Sequence, residues 1–149
     1  MLVRLLADGT LLIILAIAGP VILWKIRRNF WQVMPVLVMA GLTSLLVGKL
    51  MSLVYQPSVA RPFLEAGASA GAAYINNPGF PSDHALLATV AVAAVYALTR
   101  NKQLTIVLAS LVLLMGLGRV LALVHTPLDV VGGILAGLSG AIWYKKLTK

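Results

Sequence analysis

Apolar residues gather in five blocks along the chain, at about residues 5–25, 31–54, 82–99, 103–124 and 127–145. Each is long enough to cross a bilayer as a helix, which takes roughly 20 residues. The pattern predicts an all-α polytopic membrane bundle of about five transmembrane helices, forming a single domain over residues 1–149. Pro20 and Pro35 lie inside or near the start of the first two blocks, where proline kinks or initiates a helix.

The polar interruptions set the topology. Lys25, Arg27 and Arg28 separate the first two blocks, Arg100 and Lys102 separate the third and fourth, and Lys145, Lys146 and Lys149 follow the fifth. With five crossings all three clusters fall on one side, and the positive-inside rule makes that side cytoplasmic. The amino terminus is then outside. The other charged residues, Arg4, Asp8, Lys49, Arg61, Glu65, Asp83, Arg119 and Asp129, all fall at or near the outer face. The first block has a cleavage-like Ala16-Ile17-Ala18. However, Arg4 and Asp8 precede it in place of a basic cluster, and its cations follow it, the wrong order for a signal peptide. A retained helix is expected.

Composition agrees. Sixty per cent of the residues are hydrophobic and 11% are charged, and the mean hydropathy is +0.98, too apolar for a soluble domain of this size. The net charge of +8 reflects loop clusters that orient membrane helices and does not call for nucleic acid. Without cysteine, neither disulfides nor thiolate metal sites are available.

The segment from Tyr55 to Pro81 is the one long connection, rich in Gly and Ala over 66–73. Loops of this length are often functional; a short surface helix and a role as lid or lipid gate are the expectations for it. Gly132, Gly133, Ala136, Gly137 and Gly140 in the fifth helix let helix backbones approach closely. They permit a homo-oligomer face without requiring one.

Some polar residues need more explanation. A charge inside a membrane segment costs about 2.5–3.5 kcal/mol on insertion scales. Arg119, read as five residues before the end of its block, and Lys49 are each explicable as snorkelling side chains, but both aim at the face that carries Arg61. At the start of the third block, Ser82 is a plausible N-cap and Asp83 suits the positive end of the helix dipole, which leaves His84 in the first turn unexplained. A helix N-terminus with Ser82 beside it makes an anion site. Thr126 and Pro127 begin the fifth helix as cap and first residue, placing Asp129 in its first turn with His125 just before it. That spacing lets the carboxylate reach one imidazole nitrogen and leaves the other free to attack; two interfacial residues capping a helix is the plainer alternative.

Topology brings these clusters to one face. Three cations, a helix N-terminus, two histidines and a carboxylate suit a dianion undergoing phosphoryl transfer, with one histidine attacking phosphorus and the other protonating the leaving oxygen. Metal ligation by the two histidines and Asp129 is the rival reading. The adjacent cations argue against it, since they repel a divalent ion and already neutralise the charge it would neutralise. No cofactor is called for.

Lys49 with Arg61-Pro62, then Pro81-Ser82-Asp83-His84, then Gly118-Arg119-x5-His125-x3-Asp129 resemble the three motifs of the type 2 phosphatidic acid phosphatase (PAP2) family. That family shares a core with vanadium haloperoxidases, and the resemblance spans roughly residues 45–135. It implies His125 as nucleophile forming a phosphohistidine, Asp129 orienting it, His84 as general acid, and Lys49, Arg61, Ser82 and Arg119 holding phosphoryl oxygens, with Asp83 grouped beside them. Three positions depart from the family pattern. Eleven residues separate Lys49 from Arg61 where the family has six, Gly118 replaces Ser, and Asp83 replaces Gly. The form Arg61-Pro62-Phe63 followed by Phe80-Pro81-Ser82-Asp83-His84 looks like the branch acting on undecaprenyl diphosphate.

The expected function is hydrolysis of a polyprenyl (undecaprenyl) diphosphate to the monophosphate at the outer leaflet of the plasma membrane. A phosphatidic acid or phosphatidylglycerol phosphate phosphatase is the second reading. The third is a non-catalytic lipid-phosphate binding or transport protein, which would tolerate loss of His125 but not of Arg119. The apolar spans exclude a soluble haloperoxidase-like role.

Overall fold

Unbroken apolarity leaves a chain in lipid only one way to satisfy its backbone, the helix, and the five blocks fold accordingly. The computed structural model describes residues 1–57, 61–77 and 79–147. Helix α1 runs over Leu2–Arg28, with one π-helical turn at Leu5–Gly9, and passes through Pro20. Asn29 alone separates it from α2, Phe30–Val54. A four-residue helix α3, Pro62–Glu65, opens on a proline and is the short helix expected within the long connection. Helix α4 is Asp83–Thr99 and α5 is Lys102–Leu121. Helix α6, Pro127–Ser139, continues as a 3-10 helix over Gly140–Leu147. Among the described residues there is no strand.

Four of these helices are long and apolar enough to cross a membrane: Leu2–Arg28, Phe30–Val54, Lys102–Leu121 and Pro127–Leu147. Helix α4, with 17 residues, is shorter, about 26 Å at 1.5 Å per residue. A tight turn joins it to α5: Arg100 sits in the left-handed region at φ 56°, and the Asn101 side chain caps α5 by accepting from the Leu104 N–H. Helix α4 thus runs antiparallel to α5 through the bundle. It is alanine-rich, and its buried Ala85, Ala88, Val92 and Val95 meet Ile14 and Ala18 of α1, Leu108, Val112 and Met115 of α5, and Val130 of α6. The larger side chains Leu42, Leu45, Leu53, Leu113 and Leu135 remain exposed, which is where lipid tails can cover them.

Small residues set how closely the helices approach. A Cβ at Gly133 would overlap the carbonyl oxygen of Ser82, and one at Gly137 would lie 2.8 Å from that of Leu86, so α6 lies directly on the first turns of α4. Ser44 of α2 donates to the Gly137 carbonyl (3.0 Å) and accepts from Gly140 N–H, tying α2 to α6 where the latter tightens.

The fourth block reads as helical to 124, but α5 ends at Leu121, so Arg119 lies in its last turn. The residues beyond it stay apolar because they pack on protein: Ala122 and Val124 are buried against Ala7, Phe63 and Ala72. Leu123 turns the chain with φ 57°, and its carbonyl accepts from Phe63 N–H (2.9 Å).

The two ends of the bundle differ in charge. Lys25, Asn29, Leu98 and Lys146 line one cleft, and the α4–α5 turn carrying Arg100 and Lys102 is at the same end. Lys149 lies outside the described residues, as do Ser58, Val59, Ala60 and Pro78 of the long connection.

Candidate active site

At the opposite end the first turns of α4 and α6, the last turn of α5 and the segment 61–77 converge. The start of α6 follows local rules. Thr126 is its N-cap, Pro127 occupies the first turn, and Thr126 and Asp129 form a capping box. Asp129 N–H donates to Thr126 Oγ1 (3.2 Å), and Thr126 N–H donates to Asp129 Oδ2 (2.7 Å). The same Oδ2 lies 3.4 Å from His125 Nδ1, and both side chains are buried. Asp129 therefore caps a helix and faces the imidazole at once, while its Oδ1 is buried without a hydrogen-bond partner among the described residues.

Ser82 takes the N-cap position of α4, but its hydroxyl does not cap. The hydroxyl is fully buried and has no partner among the described residues. The residue is held by its backbone, whose N–H donates to the Asp129 carbonyl (2.9 Å). This bond joins the N-termini of α4 and α6 and brings the second and third motifs into one place.

Two arginines complete the cluster, 3% and 1% exposed at Arg61 and Arg119. Arg61 Nη1 donates to the Val124 carbonyl (2.7 Å) and lies 3.3 Å from both nitrogens of His125, so the guanidinium sits over the ring and not along one lone pair. Its Nη2 donates to the Ile75 carbonyl (2.9 Å) and to Asn77 Oδ1. Arg119 Nη1 donates to Asp8 Oδ1 (2.9 Å) and to the Ala73 carbonyl (2.7 Å), and lies 3.4 Å from His84 Nε2. The Nε of each arginine is buried and without a partner among the described residues. The two imidazoles therefore stand at the same end of the bundle, each beside an arginine.

Electrostatics set the resting state of His125. Burial lowers its pKa below the usual histidine value, its hydrogen bond to Asp129 opposes this, and the charges of Arg61 and Arg119 push it down again. Neutral His125 keeps a lone pair at neutral pH. Burial also lowers the Arg61 pKa, against the pull of Asp129 and Asp83.

The remaining expected residues, Asp83 and Lys49, are exposed. Asp83 accepts from Asn77 Nδ2 (3.2 Å). Lys49, on α2, shares a cavity of about 470 Å³ with Asn77, Asp83, Pro81 and leucines of α2. Asn77, which accepts from Arg61, joins that cavity to the cluster. Among the described residues, no three His, Asp or Glu side chains come together as a metal ion would require.

Two partners escape a reading of the sequence. Asp8 is visible there only as an acid on the outer side, and Asn77 gives no signal at all. Asn77 accepts from Arg61 and also from Gly79 N–H, so it anchors the loop to the site. Only its setting in the long connection, after the Gly/Ala-rich stretch 66–73, could have drawn attention to it.

A family model described as PAP2 superfamily matches residues 32–149, from the start of α2 through α6. No curated protein and no solved structure matches the chain.

Proposed function

Since the chain belongs to the PAP2 superfamily, whose members are phosphatases, we propose that it hydrolyses a lipid phosphate through a phosphohistidine on His125. The observation that carries this reading is a set of unpaired donors on residues grouped with two imidazoles. Ser82 Oγ and the Nε atoms of Arg61 and Arg119 are all buried without acceptors. An unpartnered buried donor costs about 1–3 kcal/mol, and a phosphoryl group supplies the missing acceptors. In this reading the phosphoryl group lies between His84 and His125.

In the proposed reaction Asp129 holds the proton on His125 Nδ1, and the Nε2 lone pair attacks phosphorus. The bond from phosphorus to the leaving oxygen breaks, and His84 gives that oxygen a proton. A dianion arriving beside His84 favours its protonated form. Water then attacks the phosphohistidine, His84 takes a proton from it, and inorganic phosphate leaves. Arg61, Arg119 and Ser82 bind the equatorial oxygens as charge shifts onto them. No step calls for a metal ion.

Within this class the substrate favoured is a polyprenyl diphosphate, with the lipid monophosphate as leaving group. Arg61-Pro62-Phe63 and Phe80-Pro81-Ser82-Asp83-His84 support that choice. So does the cavity beside the site, which has Lys49 near its polar groups and Leu42, Leu45 and Leu46 along its apolar side; Lys49 is well placed there for the phosphate retained on the lipid. The basic clusters at the far end of the bundle support an extracytoplasmic site at the plasma membrane.

The test is a panel of undecaprenyl diphosphate, phosphatidic acid and phosphatidylglycerol phosphate with EDTA present, run in detergent and in sealed vesicles of known orientation, with His125→Ala as control. Fastest phosphate release from the diphosphate, on the outward face and absent in the variant, is expected. The diphosphate as poorest substrate would remove the substrate assignment, activity only on inverted vesicles would remove the orientation, and dependence on added zinc or magnesium would remove the mechanism.

A further inference from the structure

The matched family region begins at residue 32, yet a residue of α1 reaches into the site. Asp8 Oδ1 lies 2.9 Å from Arg119 Nη1, across 111 positions of sequence. Its other oxygen accepts from Ala73 N–H (3.0 Å), and the Ala73 carbonyl accepts from the same Arg119 nitrogen (2.7 Å). Asp8, Ala73 and Arg119 thus close a ring of three interactions linking α1, the long connection and α5.

We propose that Asp8 is a positioning residue that fixes the Arg119 guanidinium for a phosphoryl anion, an inference that rests on the anion site described above. A guanidinium has two hydrogen-bonding edges that suit an oxyanion, one through Nε and Nη2 and one through the two terminal nitrogens. Asp8 and the Ala73 carbonyl occupy Nη1 and so use up the second edge. The edge that contains the buried, unpartnered Nε is left for the ligand. The carboxylate also offsets part of the cost of burying the cation before a ligand arrives.

The backbone is arranged for this contact. Asp8 lies in the π-helical turn Leu5–Gly9. That turn packs on α5 at Gly118, where a Cβ would lie 2.7 Å from Ala7 N and 2.7 Å from the Leu6 carbonyl carbon. Serine, the family's residue at this position, would push the turn away. The glycine at 118 and the aspartate at 8 therefore act together: one admits α1 and the other uses the approach.

A latch that the substrate must displace would use the same contact with the opposite consequence, and anion affinity separates the two roles. Binding of inorganic phosphate and orthovanadate to the full chain in detergent should be measured by calorimetry for wild type, Asp8→Asn, Asp8→Ala and Gly118→Ser, together with kcat and KM on the best lipid substrate and melting temperature. Each variant is expected to bind both anions roughly tenfold more weakly or worse, the scale of a charge-assisted hydrogen bond. Asp8→Asn, which keeps one acceptor for Arg119, should lose least, and Asp8→Asn with Gly118→Ser should lose little beyond Gly118→Ser alone. Unchanged or tighter anion binding in Asp8→Asn, with wild type binding normally, overturns the positioning role, even if the melting temperature falls. If wild type binds neither anion, the anion site itself is refuted and this role with it.

Discussion

At the level of single residues, the chain buries two guanidiniums, Arg61 and Arg119, and taking a charge out of water is costly. Arg119 is offset by Asp8, whereas Arg61 relies on the Val124 and Ile75 carbonyls and Asn77. Such placement makes sense where positive charge must meet an anion out of water. It also sets the pH behaviour of the nucleophile. His125 attacks only when neutral, and burial with two neighbouring cations lowers its pKa. Loss of kcat/KM on acidification should therefore set in below the ordinary histidine value of about 6.5. Asp129 opposes that shift, so Asp129→Asn should move the acidic limb to still lower pH while reducing kcat on the order of 10²–10⁴-fold. A pH profile of kcat/KM checks this; a limb that moves upward would contradict the electrostatic account. His84, His125, Asp129 and Arg119 were legible as candidates because each stands at a helix end, where short spacings fix geometry. Asp8 and Asn77 were not, because their partners are 111 and 16 positions away and one sequence carries no record of such pairing.

Among the elements, α6 controls whether the site assembles. The Ser82 N–H bond to the Asp129 carbonyl depends on α6 lying against the start of α4, and that approach requires Gly133, where a Cβ would overlap the Ser82 carbonyl oxygen. Because the obstacle is backbone, no rotamer change relieves it. Gly133→Ala should destabilise the protein by about 1–3 kcal/mol, the usual cost of overpacking, and reduce turnover by separating Ser82 from His125. Thermal unfolding and activity in detergent measure both, and a variant with wild-type melting temperature and rate would mean that the helices are not in this contact. The close-packing role of the α6 glycines was readable from their spacing. The end of α5 was not: Ala122 and Val124 are apolar because they pack on Phe63 and Ala72, and hydropathy does not distinguish a lipid partner from a protein one.

At the scale of the molecule, a bundle built on apolar helices collects its chemistry at one end and its basic clusters at the other. The order of blocks and clusters revealed that division because every crossing reverses direction. The short α4 was still readable as an apolar helix of the bundle, and its tight turn into α5 sets it antiparallel to a full-length neighbour. The position of Lys49 was less legible. The resemblance to the family implied a phosphate contact for it, and α2 sets it along a cavity shared with Asp83, a placement that spacing along the chain does not reveal. What the assembled end of the bundle does chemically reduces to whether His125 carries the phosphoryl group. Rapid quench of the enzyme with a lipid diphosphate labelled in its terminal phosphate, followed by peptide mapping under alkaline conditions, measures this directly. The account predicts an acid-labile phosphoryl adduct on His125 that forms and decays within turnover and is absent in His125→Ala. Turnover retained in that variant, or an adduct on another residue, would contradict it.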